Sequence, residues 1–296
     1  MIRYTKNILI HGVRTVAYNS KLVLLLWAFN ALSALVLTVP ILKILIDNLG
    51  NSLISDSLAH NFDYIWFLQF KKIYEVQFEQ MPLSIYSVVG IYTLLQTFFL
   101  GGMISIFNIP EKNHVVDFFY GGVKYFFRFL KVLLISLFFF AAAFKINEYL
   151  GDLITYLFVN SENVYADFSL KAIRYVLLVF FIGVVTLFSD YIKVSLAVHD
   201  KTKVIKEFYS VGAFIKNNFM KIFTVFLIVA IIGALGAVIY NLIGRFIPRT
   251  PYYFLVISFI LQQMLIIFRL FVRMLFSATE VNLYKDLSAD IVSAEN

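Results

Sequence analysis

Four charged residues lie inside segments of the chain that are otherwise apolar. Asp190 and Lys193 lie in one such segment, and Arg269 and Arg273 lie in another. A charge within a membrane is costly, so such residues usually face a bundle interior or a water-filled cavity. We interpret this intramembrane polar cluster first as a structural salt bridge in which Asp190 pairs with Arg269. Lys193, one helical turn from Asp190, is the alternative partner, and a pathway for a solute or a proton is the alternative role.

The other residue types that carry chemistry form no recognisable pattern. The chain has no cysteine, which excludes disulfides, thiolate metal sites and cysteine nucleophiles. His11, His60, His114 and His199 have neither a histidine four residues away nor carboxylates at metal-ligand spacing. The sequence shows no nucleophile elbow, phosphate-binding loop or nucleotide fingerprint. It therefore predicts no catalytic residue, no cofactor and no metal site, and a protein that is not an enzyme.

The composition indicates a membrane protein. The 296 residues are 61% hydrophobic and 15% charged, whereas a soluble domain is about 45–50% apolar and about 25% charged. A helix needs about 20 largely apolar residues to cross the hydrocarbon core of a bilayer. Six segments meet this requirement: Leu22–Ile46, Leu83–Phe107, Tyr125–Asn147, Val176–Val198, Ile222–Ile243 and Tyr252–Phe276.

A glycine followed nine residues later by a lysine recurs three times, each time before a long apolar run. The pairs are Gly12 with Lys21, Gly122 with Lys131 and Gly212 with Lys221. An internal repeat of this kind predicts a repeated architecture. We predict an all-α integral membrane fold with six transmembrane helices in a single domain over residues 1–296. It consists of three parallel two-helix repeats (1–110, 111–200 and 201–296), each preceded by an interfacial amphipathic elbow helix.

Basic residues predict how the chain is oriented in the membrane. More lysines and arginines fall on the side of the elbows than in the alternate connections, although Arg245 and Arg249 run against this trend. The side richer in basic residues is cytoplasmic by the positive-inside rule. The sequence thus predicts a multi-pass membrane protein with both termini in the cytoplasm. The net charge of +7 is explained by this basic belt, so no nucleic-acid partner is expected.

The elbows combine basic and aromatic residues, which is typical of helices that lie in the headgroup layer. The predicted headgroup contacts are Lys21, Lys124, Arg128, Lys131 and Lys221, and the rings placed in the acyl boundary are Phe118, Phe119, Tyr125, Phe126 and Phe129. The first interpretation is that these residues anchor the next span at its depth. The second is selective binding of an anionic lipid headgroup. Membrane lipids, anionic ones included, are therefore the expected partners, with a membrane-protein partner as an alternative.

Two runs of the sequence resemble a family of uncharacterised bacterial multi-span membrane proteins. These runs are "FFLGGMISIF…DFFYGGVKYFFRFLKVLLI" and "SDYIKVSLAVHDKTKVIKEFYSVGAFIKNNF". They carry a Gly-Gly at the end of an even span, an aromatic-basic elbow, and an Asp-x-x-Arg/Lys motif formed here by Asp190 and Lys193. The resemblance implies a six-helix membrane domain and a role for Asp190, and it implies no activity.

Two functions from different classes remain open. The favoured one is a non-catalytic inner-membrane protein that contacts lipid or serves as an assembly or scaffold component. The alternative is a transporter of a small solute or lipid, with a polar cavity lined by Asp190 and Arg269 together with Gln96, Gln262 and Gln263. The segment Asp47–Gln80 is predicted to contain a short interfacial helix on the outer face, and it would serve as a cap or a docking surface.

Overall fold

The computed structural model describes residues 2–50, 52, 54–60, 63–109, 115–159, 164–248 and 253–294. Within these ranges all regular secondary structure is helical. The helices are α1 (Ile2–Tyr18), α2 (Ser20–Leu49), α3 (Ile54–His60), α4 (Tyr64–Ile73), α5 (Glu75–Asn108), α6 (Val115–Phe158), α7 (Val164–Val198), α8 (Val204–Phe246) and α9 (Tyr253–Ala294). Arg249, which was named in the orientation argument, and His114 lie outside the described residues.

Six of these helices, α2 and α5 to α9, are long and apolar enough to cross a membrane. Each predicted span lies within one of them, in the predicted order, with only Tyr252 outside the described residues. In the apolar windows of these helices, 11% to 22% of the residues are buried inside the protein. Most of their apolar side chains therefore face outwards, where a bilayer shields such surface from water. The protein is an all-helical, multi-pass membrane protein.

The three predicted elbows join their spans in different ways. The first, α1, is a separate helix, and Asn19 (φ −99°, ψ 26°) lies between it and α2. The second forms one continuous helix with its span in α6. In α8, Asn218 (φ −117°, ψ 17°) leaves helical geometry and so divides the third elbow from its span. The threefold equivalence of the repeats stays a prediction.

The glycines that mark the repeat meet different neighbours. A Cβ atom added to Gly12 would lie 2.6 Å from a threonine methyl of α9, and one added to Gly122 would lie 2.6 Å from the Phe98 ring. On Gly212 the nearest atoms belong to Phe188, at 3.7 Å, which is an ordinary contact. A bulkier side chain would therefore collide with its neighbours at Gly12 and Gly122, and at Gly212 it would make an ordinary contact.

The chain divides into two compact units. Unit 1 consists of Met1–Ala17, Thr97–Val229 and Leu275–Asn296, and in it α6 and α7 pack against each other. Unit 2 consists of Tyr18–Gln96 and Ala230–Met274, and it contains α2, α3 and α4. The helices α5, α8 and α9 contribute to both units. The single membrane domain over residues 1–296 stays a prediction.

The segment between the first two spans contains the predicted short helix, α4. The Asp63 carboxylate caps α4 by accepting hydrogen bonds from the backbone N–H groups of Ile65 (2.8 Å) and Trp66 (3.1 Å). Such a cap satisfies N–H groups that have no partner within the helix. Trp66 stacks on Phe70 with ring centroids 4.9 Å apart. The helix itself is confirmed, and its place at the membrane interface stays a prediction.

Candidate functional site

Asp190 and Lys193 form an ion pair within α7. Lys193 Nζ lies 2.9 Å from Asp190 Oδ1, and the side chains are 11% and 26% exposed, respectively. A spacing of three residues places both side chains on one face of the helix. The structure confirms Lys193, the alternative partner, as a partner of Asp190. Arg269 and Arg273 belong to unit 2, and Arg269 is exposed. The pairing of Asp190 with Arg269 stays a prediction.

Double substitutions distinguish these two partners of Asp190. Asp190→Asn should lower the free energy of unfolding by about 1–2 kcal/mol, because Lys193 keeps a hydrogen-bond acceptor but loses its counter-ion. Adding Lys193→Gln should recover most of that loss, since it removes the stranded charge. Adding Arg269→Gln, the matched comparison, should recover none. Thermal unfolding of the purified variants measures the effect, and rescue by Arg269→Gln rather than Lys193→Gln would contradict the local pair.

Glu280 in α9 is a buried carboxylate that the sequence interpretation did not single out. Its side chain is 7% exposed, and its Oε1 has no hydrogen-bond partner in the described part of the chain. The charges of Asp190 and Lys193 act on it, so the three groups belong to one electrostatic cluster. The sequence interpretation missed it because the predicted sixth span stopped at Phe276. Glu280 lies seven residues after Arg273, and this spacing places two side chains on the same face of a helix. That spacing is the signal by which the sequence could have identified Glu280.

A second polar group joins α7, α8 and α9 in the interior of unit 1. The hydroxyl of Ser195, which is fully buried, donates to Glu207 Oε2 at 2.6 Å and lies 2.8 Å from the Tyr284 hydroxyl. Since the Ser195 proton goes to Glu207, the Tyr284 hydroxyl is the donor in the second bond. The other carboxylate oxygen of Glu207 lies 2.7 Å from Lys201 Nζ. We call Ser195, Glu207, Tyr284 and Lys201 the Ser195 network.

The Ser195 network contains residue types found in hydrolases, yet its geometry differs from a nucleophilic site. His199 lies near the Tyr284 hydroxyl, with Nδ1 at 3.4 Å, rather than accepting the Ser195 proton. Ser195 also has no exposed surface against which a substrate would lie. A buried group of hydrogen bonds with all its members satisfied fixes how helices pack. The network therefore suits a structural role in which the end of α7 and the start of α8 are held against α9.

The turn after α7 is held by side chains of α6. Asp200 adopts a left-handed conformation (φ 49°), and the N–H of Lys201 donates to the carbonyl of Leu196 at 3.1 Å, which closes the helix end. The Asp200 carboxylate then lies 2.8 Å from Lys124 Nζ and 2.7 Å from Arg128 Nη1. Hydrogen bonds from these two cations hold the pKa of Asp200 below its usual range. Lys124 and Arg128, two of the five predicted headgroup contacts, thus form ion pairs within the protein. Their contact with lipid stays a prediction.

The aromatic rings of the second elbow divide into a buried and an exposed set. Phe118, Tyr125 and Phe129 are almost completely buried. Placing these three rings in the acyl boundary was wrong, because their spacing of seven and four residues puts them on the face of α6 that packs inside unit 1. Tyr120 and Phe127 are the strongly exposed rings of this elbow.

All three elbows have one buried face and one outward face. In α1 the buried residues are Thr5, Ile8, Gly12 and Val16, and the exposed ones include Lys6, Ile10, Val13, Arg14 and Tyr18. At the start of α8 the buried residues are Val204, Glu207 and Val211, and the exposed ones include Ile205, Lys206 and Tyr209. The exposed residues of the second elbow include Val116, Phe119, Tyr120, Val123 and Phe127, and Lys124 and Arg128 beside them are half-buried. The lysines that follow the three elbows, Lys21, Lys131 and Lys221, are exposed. Each outward face combines basic and large apolar side chains.

A polar pocket lies where α1 meets the break in α8, within unit 1. Its volume is about 660 Å³, and it is lined by Tyr4, Phe219 and Met220 together with the polar residues Lys216, Asn217, Asn218 and Lys221. Lys221 Nζ lies 5.5 Å from the centre of the Tyr4 ring, within the range of a cation–π interaction. We call this cavity the α8 pocket. Lys221, one of the predicted headgroup contacts, is among the residues that line the α8 pocket.

Unit 2 contains its own chain of polar contacts within its helices. Arg273 donates to Gln96 Oε1, and the Gln96 amide donates to Asn30 Oδ1 at 3.4 Å. The Tyr92 hydroxyl donates to the same Asn30 oxygen at 2.5 Å. A separate bond joins Trp27 Nε1 to Gln263 Oε1 at 2.9 Å. Two glutamines assigned to the transport cavity are thus engaged in bonds between helices.

Comparison with known proteins leaves the site to be interpreted from its geometry. No family model, curated protein or solved structure matches the chain. Among the described residues, no group of three histidine, aspartate or glutamate side chains is close enough to hold a metal ion. The features to be explained are the outward faces of the elbows, the α8 pocket and the buried charges of α7 and α9.

Proposed function

We propose that this protein is a non-catalytic component of the bacterial inner membrane that contacts lipid at its cytoplasmic face, where it serves in assembly or scaffolding. The observation that carries the proposal is the shared pattern of the three elbows. Each has large exposed apolar side chains with lysine or arginine beside them. Such a surface fits the interface, since cations meet lipid phosphates while apolar side chains enter the acyl boundary.

The absence of cysteine from the chain makes a site-specific test of this proposal practicable. Single cysteines replace exposed apolar residues of the three elbows, as Ile10→Cys, Tyr120→Cys and Tyr209→Cys, and carry an environment-sensitive fluorophore. Lys203→Cys, in the connection between α7 and α8, is the matched exposed position outside a helix. In vesicles, the three elbow probes should be quenched by brominated lipids and the control by iodide. Elbow probes that respond to iodide as strongly as the control would contradict the proposal.

The same approach tests the proposed orientation. Val76→Cys lies at the start of α5 and is exposed, and Lys203→Cys follows the end of α7. Three predicted spans, in α5, α6 and α7, separate the two positions, so they should lie on opposite sides of the membrane. In intact spheroplasts, a membrane-impermeant maleimide should label Val76→Cys, which the positive-inside rule places outside. Lys203→Cys should react only after the membrane is opened. The reverse pattern would place the termini outside.

Transport of a proton or small solute is the second candidate function. The observation in its favour is the cluster of Glu280, Asp190 and Lys193, because a buried carboxyl oxygen without a hydrogen-bond partner is costly and is characteristic of membrane pathways. Proteoliposomes loaded with a pH-sensitive dye test it. Proton flux that is present in the wild type and lost in Glu280→Gln would favour transport over the lipid-contacting role.

A further inference from the structure

The α8 pocket combines groups that recognise a phosphate. Lys216 and Lys221, which carry ammonium groups, and Asn217 and Asn218, which carry carboxamides, are among the residues that line a single cavity. The lining residues include no carboxylate. Among the described residues, neither lysine takes part in an ion pair. In that part of the chain no ion pair balances their charge, unlike that of the cations that hold Asp200.

The break in α8 lies at this pocket. Asn218 leaves helical geometry, and its side-chain amide donates to the carbonyl of Phe214 at 3.2 Å. Lys216 precedes the break and Lys221 follows it, so the two cations flank the point where the elbow turns into the span.

The position of the pocket along α8 points to a lipid as the source of the phosphate. Phe219 and Met220 line the pocket on the side of the fifth predicted span, which begins at Ile222. Both are exposed beside the lysines. A cavity with cations and amides next to exposed apolar side chains at the start of a span matches a headgroup that continues into acyl chains.

We propose that the α8 pocket binds the headgroup of an anionic glycerophospholipid. This proposal rests on the lipid-contacting function and assigns a site to it. The ammonium groups of Lys216 and Lys221 bind the phosphate oxygens, and the carboxamides of Asn217 and Asn218 bind the remaining phosphate oxygen or headgroup hydroxyls. The Tyr4 ring holds the Lys221 ammonium in place through the cation–π contact.

The proposal is tested with the full-length protein by native mass spectrometry, which measures the apparent Kd for phosphatidylglycerol and for phosphatidylcholine. The double variant Lys216→Gln/Lys221→Gln removes both cations of the pocket. The matched control is Lys203→Gln, which removes a charge from an exposed position outside the elbows and the pocket, and it is compared with the single pocket variant Lys221→Gln. A further variant, Lys216→Arg/Lys221→Arg, keeps the charge and controls for correct folding.

We expect the pocket variant to weaken phosphatidylglycerol binding by about five-fold for each lysine removed and to leave phosphatidylcholine binding unchanged. The control and the arginine variant should stay within about two-fold of the wild type. Equal losses in the pocket and control variants would overturn the pocket while leaving the lipid-contacting function intact. Conversely, elbow probes exposed only to water would overturn that function whatever the Kd values show.

A competition experiment distinguishes a lipid headgroup from soluble phosphate. Inorganic phosphate and glycerol 3-phosphate are added at millimolar concentration to the wild type with bound phosphatidylglycerol. Retention of the lipid supports the proposal, because the acyl chains then contribute to binding. Displacement by either anion would overturn the assignment to a lipid and identify the pocket as a site for soluble phosphate.

Discussion

Glu207→Ala should lower the free energy of unfolding by about 3 kcal/mol. The substitution leaves the buried hydroxyl of Ser195 without its acceptor and removes the counter-ion of Lys201. Loss of a partner for a buried polar group costs about 1–3 kcal/mol. The charge of Lys201 adds a smaller amount, because that side chain is 45% exposed and water screens it. Thermal unfolding of the purified protein in micelles measures the change.

Glu148→Ala is the matched control for the Ser195 network. It is the same substitution in the same unit, and it breaks an ion pair with Lys145 in which both side chains are more than half exposed. Exposed pairs contribute little to stability, so a change below about 0.5 kcal/mol is expected. If Glu207→Ala is no more destabilising than Glu148→Ala, then the network does not hold the helix ends together.

Gly102→Val should destabilise unit 1 by about 3 kcal/mol through overpacking. A Cβ atom at this position would lie 2.5 Å from the backbone carbonyl oxygen of Phe118 and 2.7 Å from its ring. A backbone oxygen cannot rotate away as a flexible side chain does, so α5 and α6 would have to move apart. Circular dichroism and thermal unfolding should show a retained helical content and a lower Tm.

Gly90→Val in the same helix provides the comparison for Gly102→Val. A Cβ atom at Gly90 meets no atom within 4 Å, so the valine enters open space. Glycine and valine differ by only about 0.5 kcal/mol in helix propensity, and the expected change is of that size. Similar Tm values for the two variants would show that close packing at Gly102 is not required.

The spans were predictable from the sequence because hydrophobicity is a local property. The run Leu22–Ile46 has to be helical in a bilayer, since only a helix satisfies its own backbone hydrogen bonds there, and α2 covers it. The join between elbow and span was not predictable. Asn218 donates to the carbonyl four residues back, and Asn241 makes the same bond at 3.0 Å without any break in α8. The presence of asparagine therefore does not decide where a helix bends.

The candidate site was predictable only where its residues are neighbours in sequence. The pair Asp190–Lys193 follows from its spacing, and Lys221 follows from its place in an elbow. The bond from Ser195 to Tyr284 joins residues 89 positions apart, and the contact of Lys221 with Tyr4 joins α8 to the first helix. Such pairs depend on how helices pack, and a hydrophobicity pattern carries no information about which polar residues meet.

The continuity of α6 has a mechanical consequence. With 44 residues and a rise of about 1.5 Å per residue, α6 is about 66 Å long, roughly twice the 30 Å thickness of the hydrocarbon core. In a bilayer whose thickness changes, a helix adjusts by tilting. Because α6 is continuous, its elbow would tilt together with its span. The breaks at Asn19 and Asn218 give the other two elbows a hinge that absorbs such a tilt. A change in membrane thickness would therefore move the second elbow more than the first and the third.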